Sequence, residues 1–218
     1  MNTLATRLAF DYEIATQLRA PALGVVRAFA SRDDLIKGID VSAADARDGR
    51  ARIYYVEYHV KTLSGPGTFI NKVAVHYDLL ANGSYPLTEP LATVVTRPVP
   101  WSPHFHPASG IICIGSIWKT RHGRMLFAQL AIHTARLLNY DEKKPPFGYT
   151  GWNGAAIAYW RDMLQYRPIT PGLEYPELPI AITHGSSEIA DDGFDSLHDE
   201  SEFTPMTDES FVPLAPRV

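Results

Sequence analysis

The chain has 218 residues, 45% of them hydrophobic and 20% charged, which is enough to bury one sizeable core. A formal net charge of -4 argues against a general nucleic-acid binder, because phosphate contacts favour a basic face. Cys113 is the single cysteine, so no internal disulfide is possible, and no apolar run reaches the length that spans a membrane.

The first twenty residues, MNTLATRLAFDYEIATQLRA, lack a basic segment followed by a continuous apolar run. They predict no signal peptide, and the cytoplasm is the expected compartment. Leu4, Leu8, Ala15 and Leu18 recur at helical spacing and predict an amphipathic helix over 2–19, with Arg7, Asp11 and Glu13 between them; Pro21 ends it. ALGVVRAFA (22–30) reads as a strand, and the charged stretch 31–50 as a loop. RIYYVEYHVKTL (52–63) and TFINKVAVHYDLL (68–80) alternate around the turn SGPG, which predicts an antiparallel hairpin with Phe69, Val73, Val75 and Tyr77 on one face. LATVVT (91–96) supplies a third meander strand. The prolines of RPVPWSPHFHP (97–107) are too closely spaced for a helix or an inner strand. Leu126, Leu130, His133, Thr134, Leu137 and Leu138 form one stripe of a helix over 124–139, and Ala155, Ala156, Tyr159, Trp160 and Met163 the buried face of another over 151–166. From 171 to 218 the chain turns acidic and poor in large apolar residues, the composition of a flexible tail. Strands first and helices later predict an α+β domain over 1–170.

The chemistry concentrates in HFHPASGIICIGSIW (104–118). A lone cysteine between isoleucines is most simply a buried packing residue. His104, His106, Cys113 and His122 are suitable zinc ligands, although only the HxH pair has a tight spacing. A cysteine hydrolase would need a histidine base and a group to orient it.

The order of local signatures is similar to that of the ubiquitin-conjugating enzyme (E2) family. Tyr85 and Pro86, followed by Pro90, stand after the second meander strand. His106 and Pro107 precede Gly110-x-x-Cys113, and Trp118 follows. A long helix ending in Leu137 and Leu138, an acidic and proline-bearing loop, and an alanine- and aromatic-rich helix come next. The resemblance covers about residues 1–166. It implies a UBC-like fold: N-terminal helix, antiparallel β-meander, active-site segment and two C-terminal helices. The family's HPN asparagine is Ala108 here, and the short loops resemble divergent E2-like proteins of bacterial ubiquitin-like conjugation operons, including anti-phage ones.

The resemblance implies that an E1-like activating enzyme, which itself uses the ATP, passes the carboxyl of a ubiquitin-like protein to Cys113 as a thioester. A target protein's amine then receives it. No cofactor, nucleic acid or membrane is implied for this chain. His104, His106, Ser109 or Asn139 would supply the donor that Ala108 lacks. Asp141 and Glu142 would position or deprotonate the attacking lysine. Arg7 and Arg19 would mark the E1-docking helix. Two other readings remain open: a non-catalytic E2-fold binding module, and a zinc or cysteine-hydrolase protein.

Overall fold

A computed structural model describes residues 4–19, 36–40, 47–114, 117–120, 124–142 and 152–176. All belong to one unit, Met1–Leu178. The elements are α1 (Leu4–Arg19), β1 (Ile36–Asp40), β2 (Ile53–Tyr58), β3 (Thr62–Gly65), β4 (Thr68–Ile70), β5 (Val73–Asp78), β6 (Leu91–Val94), α2 (Ile117–Thr120), α3 (Phe127–Leu138) and α4 (Gly154–Asp162). The described chain is thus α+β, with a four-stranded antiparallel sheet in the order β1-β2-β5-β6 and a separate β3-β4 hairpin.

The sheet follows from alternation. Tyr54, Val56 and Tyr58 of β2 face inward beside Val73, Val75 and Tyr77 of β5, which in turn pair with Ala92 and Val94 of β6. All eight are buried, and each large apolar side chain removed from water contributes about 1.5–3 kcal/mol. Helix α3 lies on this face because its apolar positions recur every three to four residues. Two hydroxyls fix its height. Tyr58 donates to the Ala131 carbonyl (3.0 Å) and Tyr77 to Thr134 Oγ1 (2.9 Å), while the two tyrosine oxygens lie 2.6 Å apart. Tyr54 stacks on Phe127 with ring centroids 3.9 Å apart.

Asp11 departs from the expectation of a solvated α1 flank: it is fully buried. Its carboxylate accepts from Arg7 (2.7 Å), from the Tyr85 hydroxyl (2.5 Å) and from the backbone N–H of Phe127 (2.9 Å). Leu126 has no side-chain acceptor to cap α3, so Asp11 satisfies one of that helix's leading N–H groups from across the core. Arg7 also donates to the Met125 carbonyl and is held inside this network. Trp118 on α2 is buried, with its indole N–H on the Pro86 carbonyl (3.0 Å) and its ring beside Tyr85.

Other expectations are corrected in detail. The predicted loop 31–50 holds β1, an edge strand whose IKGID sequence is marked by pairing with β2 rather than by propensity. The predicted strand 52–63 is two strands, and 68–80 is likewise broken at residues 71–72, so the β3-β4 hairpin sits between the paired β2 and β5. Phe69 consequently leaves the inner face; it is 44% exposed beneath the Lys61 ammonium. In α4, Ala156 and Trp160 are buried but Met163 is 68% exposed. Leu173 and Tyr175, just past residue 170, pack on the main core. The expected strand 22–30 and the acidic tail beyond 176 lie outside the described residues.

Candidate active site

The segment that follows β6 folds back on itself. Residues 104–106 run antiparallel to 111–113. The Cys113 N–H donates to the His104 carbonyl (2.8 Å), the His106 N–H to the Ile111 carbonyl (2.9 Å), and Phe105 bridges Ile112. The turn is closed by the Gly110 N–H on the His106 carbonyl (2.8 Å). Gly110 has φ +76°, and a Cβ there would stand 2.9 Å from the Val94 carbonyl oxygen, so glycine is required twice over. The outer limb joins β6 through Val94 N–H to Gly110 O (2.8 Å) and Ile112 N–H to Ala92 O (2.9 Å).

This register decides which side chains meet. Antiparallel neighbours alternate between faces, so Phe105 and Ile112 share one face and His104, His106, Ile111 and Cys113 the other. Phe105 and Ile112 are buried. His104 stands directly opposite Cys113, close enough that the thiol's negative charge bears on the His104 ring. On the same ring, Nε2 lies 2.9 Å from Oε2 of Glu142, which comes from the loop after α3. The His104 side chain is 8% exposed and that of Glu142 21%, while Cys113 is half-buried.

Burial disfavours charge on His104, but the hydrogen bonds to Cys113 and Glu142 and their negative charge outweigh it, and its pKa is raised to about 9. The ring thus holds its proton more tightly than a free imidazole does. A thiol, an imidazole and a carboxylate are the residue types from which a nucleophile, an acid–base group and an orienting group are built. The sequence placed His133 in the stripe of α3 without connecting it to this group, whose charges it feels. Burial pushes its pKa down to about 4; the nearby Glu142 acts against this and the His104 charge adds to it. The three-residue alternation of α3 could have flagged it, as a histidine inside an apolar stripe.

The other candidates have different surroundings. Ser109 is exposed and belongs to the turn: its N–H (3.1 Å) and hydroxyl (2.9 Å) both lie on His106 Nδ1, and its oxygen accepts from the Ile111 N–H (3.3 Å). With Nδ1 accepting from that N–H, the His106 ring carries its proton on Nε2. The ring meets Trp152 edge-on, with centroids 5.6 Å apart. Asn139 is fully buried at the end of α3. Its amide donates to the Thr170 carbonyl (3.1 Å) and the Tyr175 hydroxyl (3.0 Å) and accepts from the Thr170 N–H (2.7 Å), bracing residues 169–175. Asp141 lies near Tyr175 and its negative charge helps to raise the tyrosine's pKa. Ala108 is exposed on the turn. His122 lies outside the described residues, and among the described residues no group of three or more His, Cys, Asp or Glu side chains is arranged to hold a metal ion. Among the described residues no helix is long and apolar enough to cross a membrane. No protein-family model matches this sequence, and no curated protein matches it either.

Proposed function

We propose that the chain is an E2-like conjugating enzyme with a UBC-like fold, which accepts the carboxyl of a ubiquitin-like protein from an E1-like enzyme on Cys113 and transfers it to a target amine. The observation that carries this reading is the half-exposed Cys113 thiol set against His104 and Glu142 on the hairpin beside β6. Helix, antiparallel meander, cysteine-bearing segment and later helices stand in the order that the resemblance implies.

In this mechanism the imidazolium of His104 favours the Cys113 thiolate, the form that attacks an incoming thioester. The thiolate adds to the acyl carbonyl, the tetrahedral adduct collapses, and the donor's thiolate leaves. Charging consumes the negative charge on Cys113, so His104 keeps only Glu142 as its anionic partner and gives up its proton more readily. A neutral target amine then adds to the Cys113 thioester. As the C–S bond breaks, the ammonium proton passes to His104, which restores the thiolate–imidazolium pair and releases the amide. His106, protonated on Nε2, takes the part of the missing asparagine as donor to the oxyanion. Glu142 acts on the lysine through His104, not by touching it.

The Cys113–His104–Glu142 arrangement also favours a second reading, a cysteine hydrolase in which water replaces the amine. A chase experiment separates the two. Preformed Cys113 thioester is diluted into buffer with and without free lysine, and its decay is followed on non-reducing gels. Lysine-dependent decay that yields a lysine–modifier amide supports conjugation. Decay at one rate in both, yielding only free modifier, sinks it in favour of hydrolysis.

A further inference from the structure

We infer that Trp152 is a specificity-determining residue for the acyl donor: its exposed indole forms a wall beside Cys113 and takes an uncharged, flat or apolar group carried by the last few residues before the reacting carboxyl. The inference deepens the conjugating reading, on which it rests for the nature of the donor.

The register of the hairpin sets the distances. His106 faces Ile111 across the ladder, and Cys113 stands two residues further along on the same face. Diagonal neighbours of this kind lie about 7–8 Å apart. The Trp152 indole meets the His106 ring edge-on, with centroids 5.6 Å apart and planes at 82°. An extended chain rises about 3.3 Å per residue, so the indole lies within reach of about four residues behind a carbonyl held on Cys113. Partners reach this face in order: Glu142 meets His104, and Trp152 meets the next residue on the face, His106.

The indole is held in place and yet left open. Asn153, the next residue, is buried and caps α4: its Oδ1 accepts from the Ala156 N–H (3.1 Å) and its carbonyl from the Ile157 N–H (3.1 Å). Trp160 anchors the same helix, edge-on to Tyr140 after α3 with centroids 5.7 Å apart. Trp118 and Trp160 are buried and Trp101 is half-buried, whereas Trp152 is 43% exposed. Part of its indole is taken up by His106 and the rest faces solvent. His106, Ile111 and Cys113, which share the hairpin face, are each half-buried and so partly open to solvent as well. A tryptophan offers a large contact area at little entropic cost, and its π face suits peptide planes and apolar side chains.

The test uses the full chain and two alkylating probes, iodoacetamide and N-benzyl-iodoacetamide, so it needs neither E1 nor modifier. The rate of each at Cys113 is divided by its rate with glutathione, which removes the probe's intrinsic reactivity. The benzyl-to-plain ratio is then compared for wild type, Trp152→Phe and Trp152→Ala. The expected ratio is about threefold or more in the wild type, intermediate in the Phe variant and close to unity in the Ala variant. A wild-type ratio at or below unity overturns the inference. So does a ratio that Trp152→Ala leaves unchanged, including the case in which both rates fall together and the residue only supports the hairpin. If the Ala variant fails to fold, spectra of the wild type decide. Benzyl labelling of Cys113 must shift the Trp152 indole N–H resonance, assigned through Trp152→Phe, more than plain labelling does; equal shifts refute the wall. Failure of thioester charging alongside a Trp152-dependent ratio would reject the conjugating reading and leave the wall standing, and charging without such a ratio would do the reverse.

Discussion

At the scale of single residues, the account turns on three histidines with different duties. His104 is charged and His133 neutral, although both are withdrawn from water. His104 has two anionic partners; His133 faces one carboxylate and two cations, His104 and Arg136. The two shifts have opposite consequences for stability. A raised pKa gives His104 a contribution that is fully present below about 6.5 and is lost as pH rises through about 9. A lowered pKa gives His133 a contribution that is present above about 6.5 and is lost as pH falls through about 4. Each is on the order of 3 kcal/mol at most. Urea unfolding of the wild type should show maximal stability near pH 6.5. His104→Asn should flatten the alkaline limb and His133→Gln the acid limb; limbs unchanged in both variants would show that neither histidine is linked to folding. His104→Asn should also slow Cys113 alkylation at pH 7 by about tenfold or more, because the thiolate loses its counter-charge. Replacing His106 by Phe tests the oxyanion role separately. Charging of Cys113 should persist while discharge to lysine falls by about 10²-fold or more, and an equal loss in both steps would contradict it.

At the scale of elements, two joints hold the site in place. One is the hairpin turn: in Gly110→Ala the left-handed backbone and the 2.9 Å approach to Val94 would cost about 2 kcal/mol. Thermal unfolding and Cys113 alkylation should change together in that variant; a wild-type melting temperature would show that the turn tolerates a Cβ. The other joint is Asp11, which links α1, Tyr85 and the start of α3. Removing one partner of a buried ion pair costs about 3–5 kcal/mol, so Asp11→Ala should lower the urea midpoint strongly. The elements differ in how plainly the sequence shows them. Helix α3 and the strands β2, β5 and β6 follow from periodicity, because one face of each is buried on the same core. Strand β1 does not, since IKGID gains its strand character only from its neighbour. The turn after residue 58 does not either, because aromatic and β-branched residues continue through it. Asp11 reads as solvent-facing until Tyr85 and Phe127, distant in sequence, are brought to it. Cys113, His104 and Glu142 were all legible as candidate site residues in the sequence; their mutual arrangement was not. Cys113 stands out as the one cysteine in a motif, but His104 becomes its neighbour only once the turn at 107–110 sets the register. Glu142 reaches it from 38 positions away.

At the scale of the whole molecule, sheet, helix and hairpin cooperate to present one thiol at the surface with a charged imidazole behind it. The limb beside β6 carries Cys113, α3 contributes the nearby His133, and the loop after α3 delivers Glu142 to His104. The remaining helix and the residues after it close the far side of α3 through Asn139 and Trp160. The most direct measurement is the intact mass of the full chain after incubation with its candidate E1, ubiquitin-like modifier and Mg-ATP. The account predicts an increase by one modifier less one water, abolished by thiol reductant. The adduct should be reductant-resistant in Cys113→Ser and absent in Cys113→Ala. An unmodified mass alongside a demonstrably active E1, or an adduct that survives Cys113→Ala, would contradict it.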